Sequence, residues 1–170
     1  MDLINKMDTQ KISQAINKVI GEMGIGMFPP KGVTLEVANK IIKGVMEEAK
    51  RRDMKVVVAV ADAGGNPVAV QCMDDSYYVS YKIALDKAYT SVSIKMATKE
   101  LAKLANPNGG SLYGIQFTDP RIVIFGGGEA LEYGGRIVGG VGVSGGTAEQ
   151  DTQLGEYAKK IFKEITSRGI

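Results

Sequence analysis

Apolar residues recur at helical spacing near the start of the chain and predict a first helix followed by a linker. Asp8 or Thr9 could cap this helix, and Gly24 could end it. Its apolar stripe consists of Ile12, Ala15, Ile16, Val19, Ile20 and Met23. Residues 25–32 contain Pro29 and Pro30. Because proline lacks an amide hydrogen and disfavours helix in the residue before it, this stretch is interpreted as a linker.

A second helix is predicted to begin after Thr34, whose hydroxyl can cap it, and to end at Lys50–Arg52. Glu36 in the first turn and these cations in the last turn both suit the helix dipole. Its apolar stripe consists of Val37, Ala38, Ile41, Ile42, Val45, Met46 and Ala49.

Two apolar segments on either side of a glycine turn predict a β-hairpin. Val56–Asp62 is continuous and β-branched, which is typical of a strand that is buried on both faces. Pro67–Met73 is expected to return along it, since proline is tolerated as the first residue of a strand.

Two further helices are predicted in the middle of the chain. Ser76–Lys95 is expected to be helical, and Lys87 lies on a face that otherwise carries small residues. Thr98 is expected to cap a short helix that ends near Asn106. The small-residue face consists of Ile83, Ala84, Ala88 and Ser91.

The remaining strands are interrupted by glycine. Arg121–Phe125 is a predicted strand that Gly126–Gly128 breaks, and Glu132–Gly135 is a predicted turn. Arg136–Ser144 is the predicted last strand, and its glycines imply close packing against another backbone or a ligand.

A final helix is predicted from a capping box formed by Thr147 and Gln150, and it should run to about Thr166. Hairpins outnumber crossovers in this series of elements. The fold class is therefore α+β, with a mostly antiparallel sheet and helices on its faces.

Composition narrows the possible chemistry. The 170 residues carry 21 basic and 19 acidic side chains, a net charge of +2, one cysteine and no histidine. Without histidine or paired cysteines, a Ser-His-Asp triad, an intrachain disulfide and a histidine-rich zinc site are excluded. The absence of a concentrated basic patch argues against nucleic-acid binding. The longest apolar run is too short to cross a membrane, and no signal peptide is evident, so a cytoplasmic location is expected.

Three stretches together resemble the GlcG/HbpS/PduO C-terminal family, over about Val33–Phe162. They are Val60–Pro67, Leu112–Ile115 and Val141–Asp151, supported by Ile83–Thr90 and by the glycine loops Pro107–Gly110 and Phe125–Gly128. The resemblance implies a profilin-like three-layer sandwich, in which a five-stranded antiparallel sheet carries helices on both faces. It also implies a homo-oligomer, binding of haem or a related tetrapyrrole, and association with diol, glycerol or corrinoid metabolism.

The chain departs from the family in two respects. It lacks the histidine expected to ligate haem in PduO-type domains. Residues 1–32 are predicted to form an additional helix and linker that precede the family domain, which is expected to span residues 33–170. This extension resembles the peptides that direct enzymes into bacterial microcompartments, where an apolar helix would bind a shell or cargo protein. The alternative is a helix that covers the sheet of its own subunit or of a neighbour.

A pocket is predicted where several of these motifs converge. Its expected lining is Lys87, Tyr113, the glycines Gly126 and Gly127, and the helix start formed by Gly145, Gly146 and Thr147. Glycines before a helix expose amides that favour an anion, although plain helix capping also explains them. Lys87 could bind an anionic ligand or pair with a carboxylate, or its stem could reach solvent.

Two functions remain open from the sequence. The first is a non-enzymatic small-ligand binder whose cofactor is haem or cobalamin. The second is an enzyme that acts on a small hydroxy or carbonyl compound, with Glu149 or Asp151 as base and Lys87 as electrostatic partner. Cys72, Met73, Tyr77 or Tyr78 could ligate iron. The alternative for Cys72 and Met73 is burial in the core.

Overall fold

The computed structural model describes residues 32–167 and, before them, only Ala15. The predicted first helix and linker therefore lie outside the described residues. The described part contains helices α1 (Leu35–Arg51), α2 (Tyr78–Ile94), α3 (Thr98–Leu104) and α4 (Ala148–Ser167). Its strands are β1 (Val57–Asp62), β2 (Pro67–Cys72), β3 (Gly128–Tyr133) and β4 (Arg136–Ser144), and Ile115–Phe117 forms a short 3₁₀ helix.

The strands form one antiparallel sheet in the order β2-β1-β4-β3. The predicted hairpin of β1 and β2 is confirmed, with Val57 opposite Cys72. Among the described residues the sheet has four strands, so the expected five-stranded sheet is wrong in its strand number. The α+β class with antiparallel pairing is confirmed.

The predicted strand at Arg121–Phe125 is also wrong, because its backbone groups bond to a helix side chain. The hydroxyl of Thr90 donates to the carbonyl of Arg121 (2.8 Å) and accepts from the amide of Val123 (3.0 Å). The third strand begins instead at Gly128, where the glycines had predicted a break.

Side chains alternate along β1 between two cores. Val56, Val58 and Val60 face a large aliphatic core beneath α1 and α4, whereas Val57, Ala59 and Ala61 face α2. The continuous apolar run therefore does mark a strand that is buried on both faces.

Two of the predicted helix N-terminal caps are confirmed, and a third is wrong. Thr34 caps α1 by accepting from the amide of Val37 (3.3 Å). At α4, the amide of Thr147 donates to Gln150 (2.9 Å) and the amide of Gln150 donates to Thr147 (3.3 Å), which confirms the capping box. Thr98 does not cap α3, since Ala97 occupies the cap position. The hydroxyl of Thr98 accepts instead from the amide of Gly128 (2.9 Å).

Candidate functional site

The site begins with the close approach of α2 to β4. A Cβ placed on Gly142 would lie 2.0 Å from the carbonyl oxygen of Ala84, and one on Gly140 would lie 2.4 Å from the hydroxyl of Ser91. The helix backbone thus rests directly on the glycines of the strand. The predicted close packing of these glycines is confirmed, and the backbone that they contact belongs to the same chain.

Lys87 projects from this helix into the protein and is 0% exposed. Its Nζ donates to Oδ2 of Asp151 (2.7 Å) and to the carbonyl oxygen of Val143 (2.8 Å). The ring of Phe125 lies over the ammonium, with 4.8 Å between Nζ and the ring centroid. The expectation that Lys87 could pair with a carboxylate is confirmed, and its stem does not reach solvent.

Asp151 lies in the first turn of α4 and is 2% exposed. Its Oδ2 binds Lys87, and its Oδ1 accepts from the amide of Gly146 (2.9 Å). Gly127 closes the site with φ +115°, and a Cβ there would lie 2.7 Å from Nζ of Lys87. Glycine at this position is required both by the backbone conformation and by the space that the lysine occupies.

Burial disfavours the charged form of both partners. It lowers the pKa of Lys87, and Asp151 opposes this shift. It raises the pKa of Asp151, against the opposing effects of Lys87 and of the amides of Gly146 and Gly145. Both shifts bring the pKa values of the two groups closer together.

An open concavity of about 450 Å³ has Phe125 in its lining. We call it the Phe125 concavity. It is lined by residues that include Lys99, Ala102, Phe125, Gly126, Ala148 and Glu149. Phe125 is 41% exposed, and its ring also lies over the buried ammonium of Lys87.

A second, strongly charged concavity of about 550 Å³ lies beside the first and shares Lys99 with it. Its lining includes the lysines Lys159, Lys160 and Lys163 and the glutamates Glu100, Glu129 and Glu156. Glu129 is buried and accepts from Lys159 (3.3 Å), while Lys99 pairs with Glu156. These opposite charges largely neutralise one another, so the surface has no strong preference for an anion.

The structure brings together only part of the pocket predicted from the sequence. Lys87, Gly127, Asp151 and Gly146 meet in the buried pair. Gly126 borders the Phe125 concavity. Gly145 contacts Asp151 through its amide and also packs against the backbone of Lys55 and Val56, whereas Thr147 caps α4.

Two predicted residues lie away from the buried pair. Glu149 is exposed at the start of α4, where its own backbone amide and the hydroxyl of Thr147 lower its pKa. Tyr113 is 62% exposed in the loop before the 3₁₀ helix and lines neither concavity. Sequence reasoning missed Phe125 and Lys99. Phe125 could have been found because it stands before three consecutive glycines.

The candidate iron ligands are also spread over the surface. Cys72, Tyr77 and Tyr78 are exposed, so the alternative of a buried Cys72 is wrong, whereas Met73 lies in the core. Within residues 32–167, no three Cys, Asp or Glu side chains come together as a metal site would require. No helix in that same part of the chain is long and apolar enough to span a bilayer.

The family model described as "Haem degrading protein HbpS-like" matches residues 33–159. Since this range covers most of the sequence, the chain belongs to the HbpS-like family. It is 44% identical to an uncharacterised 15.0 kDa protein in the dhaT-dhaS intergenic region of Citrobacter freundii, over 78% of this chain and 94% of that protein.

Two further relatives carry functional names. The chain is 35% identical to the corrinoid adenosyltransferase PduO of Salmonella typhimurium, over 76% of this chain but only 38% of that enzyme. It superposes on the crystal structure of a PduOC:haem complex with a TM-score of 0.73 and 34% identity, over 76% of this chain and 94% of that one. Haem or tetrapyrrole binding therefore occurs among related proteins.

Proposed function

We propose that this protein is a small-ligand binding protein whose ligand is a tetrapyrrole, either haem or a corrinoid, bound in the Phe125 concavity. The observation that supports this most strongly is the similarity to the PduOC:haem complex, which extends over three quarters of the chain. Family likeness alone is a weak warrant for function, so the lining residues must also fit the ligand.

The lining fits the ring of a tetrapyrrole and its carboxylates. A volume of about 450 Å³ lies within the range of small-molecule sites. Phe125, Ala102 and Ala148 offer apolar surface to a flat ring. The ammonium of Lys99, which pairs with Glu156 in this structure, would exchange that exposed partner for a carboxylate of the ligand.

The same lining does not fit a haem iron that is ligated by the protein. Axial ligands of haem are His, Cys, Met or Tyr, and the lining residues include none of these. Recognition is therefore expected to act through the ring and its side groups. The metal should contribute little to affinity.

Titration with haem, with cobalamin and with metal-free protoporphyrin, followed by absorbance, tests this proposal. We expect haem and the metal-free porphyrin to bind with similar affinity. Lys99→Ala should weaken binding, whereas Lys103→Ala, in the same helix but outside the concavity, should not. The absence of a spectral change with all three compounds would eliminate the tetrapyrrole class.

One observation favours a second candidate, an enzyme that acts on a small hydroxy or carbonyl compound. The Nζ–Oδ2 distance of 2.7 Å places Lys87 within reach of Asp151 for proton transfer. Between the two predicted bases, this contact favours Asp151 over Glu149. Turnover of such a compound that is lost in Asp151→Asn and kept in Glu149→Gln would support this candidate. Equal loss in both variants would contradict it.

We also propose that the protein is a homo-oligomer. The small-residue face of α2 and the glycines of β4 pack on each other within one chain, so they do not supply the contact with another copy. The support now comes from large apolar side chains exposed at the start of α2, namely Tyr77, Tyr78, Val79 and Tyr81. Light scattering on the wild type and on Tyr78→Ser tests this. A wild-type monomer at micromolar concentration would contradict it.

We further propose a cytoplasmic location within a bacterial microcompartment, directed by residues 1–32. The support is the apolar stripe from Ile12 to Met23 followed by a linker rich in glycine and proline. Deletion of Met1–Lys31 should leave the melting temperature and assembly unchanged, and a reporter that carries only these residues should co-purify with shells. A large fall in melting temperature after the deletion would favour a structural helix instead.

A further inference from the structure

Lys87 is an unusual lysine because its buried ammonium is covered on one side by the partly exposed ring of Phe125. Two of the three ammonium hydrogens bond to Asp151 and to the carbonyl of Val143. The remaining direction faces Phe125, at 4.8 Å from the centroid. The same residue lines the Phe125 concavity, so rotation of its side chain is the route by which the amine could face that concavity.

The loop that carries Phe125 gives the ring little support from its own neighbours. Gly126, Gly127 and Gly128 follow it and present no side chains that would hold the ring in place. The backbone of the loop packs tightly on α4 at Gly126, where a Cβ would lie 2.0 Å from the hydroxyl of Thr152. Motion of the ring alone is therefore the simplest way to open the amine to the concavity.

We propose that Lys87 is a nucleophile that forms an imine with small aldehydes, which reach it through the Phe125 concavity when the phenyl ring turns aside. This inference deepens the second candidate function, since it assigns the substrate class and the bond-forming atom. It does not depend on tetrapyrrole binding.

The chemistry balances without any further reactant. Asp151 accepts a proton from the ammonium, and the neutral amine attacks the carbonyl carbon to form a C–N bond. After proton transfer to the oxygen, the carbinolamine loses its hydroxyl, which leaves as water with the proton held by Asp151. The product is a protonated imine opposite the Asp151 carboxylate, so the ion pair that is present at the start is restored.

The surroundings favour this reaction over the same reaction at surface lysines. Burial lowers the pKa of Lys87, so a larger fraction of the amine is neutral near pH 7 than at an exposed lysine. Asp151 lies 2.7 Å from the amine and can serve as both base and acid. Because Lys87 is fully buried and the ring of Phe125 lies over its amine, only a small aldehyde is expected to reach it.

Reductive trapping on the full-length protein tests the proposal. Acetaldehyde and cyanoborohydride at pH 7 convert an imine into a stable secondary amine, which peptide mass spectrometry assigns to a residue. We expect Lys87 to be alkylated faster than the exposed Lys103. In Phe125→Ala its rate should rise about tenfold or more, as removal of a protecting group does for a site that opens locally.

Phe117→Ala is the matched control, because Phe117 is an equally large ring that is 80% exposed and lines neither concavity. Its alkylation pattern should equal that of the wild type. Benzaldehyde should alkylate Lys87 only in Phe125→Ala, because the larger aldehyde needs the space of the missing ring. Near-ultraviolet circular dichroism should show that both variants stay folded.

Two outcomes would overturn the proposal. One is an unmodified Lys87 in both the wild type and Phe125→Ala under conditions that alkylate Lys103. The other is an equal rate at Lys87 in the wild type and Phe125→Ala, which would mean that the ring does not control access. Because the experiment contains no tetrapyrrole and measures no turnover, its result is separate from the tests of both proposed functions.

Discussion

The two faces of the sheet are packed by opposite means. Beneath α1 and α4, branched side chains such as Val58, Val141 and Leu154 fill the space between helix and strand. Beneath α2, the helix backbone rests on Gly140 and Gly142, and the apolar cluster is small.

This difference in packing between the two faces of the sheet explains why the buried polar groups gather around α2. A helix that lies this close to a strand leaves no room for large apolar side chains at the contact. The side chain of Lys87 runs inward from this helix. Buried polar groups such as its ammonium must find hydrogen-bond partners inside the protein. Ser91 donates to the carbonyls of Ala88 and Glu129, and Lys87 pairs with Asp151. The helix on the face with the weaker apolar core thus supplies the lysine of the buried pair, and α4 supplies its acid.

The largest expected effect comes from removing the buried cation. Lys87→Met should lower the free energy of unfolding by about 3–5 kcal/mol, because Asp151 would be left buried without a partner. Urea unfolding measures the loss. The double variant Lys87→Met/Asp151→Leu should recover most of it, since no buried charge remains.

Lys40→Met is the matched control for this prediction. Lys40 pairs with Glu36 at 2.8 Å, nearly the same distance, but both side chains are exposed. No measurable loss is expected there. If the single and double variants of the buried pair lost the same stability, the pair would not be the reason for the loss.

The second-largest expected loss of stability tests the close approach of α2 to β4. Gly142→Ala should cost about 3 kcal/mol, because the new Cβ meets the backbone of α2 and the whole helix must move. Thermal or urea unfolding would measure it.

Gly44→Ala in α1 is its counterpart on the other face. The Cβ there would lie 2.6 Å from Cδ1 of Ile161, the end of a flexible side chain that can shift. Alanine also favours the helix by about 1 kcal/mol over glycine. We expect this variant to be nearly neutral. Equal losses at Gly142 and Gly44 would contradict the contrast between the two faces.

A smaller effect is expected at the contact between α3 and β3. Thr98→Val should cost about 2 kcal/mol, because the buried amide of Gly128 would lose its acceptor. Thr98→Ser keeps the hydroxyl and should retain most of the stability in the same unfolding experiment. Valine keeps the size and the methyl group of threonine, so a valine variant as stable as the wild type would contradict the role of this hydrogen bond.

Elements that depend on local patterns could be predicted from the sequence. The Thr34 cap, the Thr147–Gln150 box and the β1–β2 hairpin each rest on a few neighbouring residues. The strand at Arg121–Phe125 could not be rejected, because the acceptor and donor that bind its backbone belong to Thr90, about thirty residues earlier. A local pattern carries no information about such a partner.

For the candidate site, too, single residues could be predicted from the sequence but the contact between them could not. Lys87 stands out as a cation among small residues, and Asp151 as an acid in a first helical turn. The partnership between them depends on how α2 and α4 pack, which the sequence does not specify. Tyr113 was assigned to the same pocket by resemblance alone, and the structure places it on the surface.

The smallest expected effect concerns Glu129, a buried acid on the α4 side of the sheet that pairs with Lys159. Burial raises its pKa above the ordinary value, against the opposing effect of Lys159. Its stabilising contribution is therefore fully present below its unfolded pKa, about 4.3, and is lost as the pH rises through its higher folded pKa. Glu129→Gln should remove this decline, and urea midpoints measured from pH 4 to pH 7 would show it.

Glu100→Gln is the informative control, since Lys103 lowers the pKa of the exposed Glu100. The contribution of Glu100 is present at higher pH and lost as the pH falls, so the two variants should change the slope in opposite directions. A change in the same direction would mean that the carboxylate of Glu129 is not destabilised by its burial.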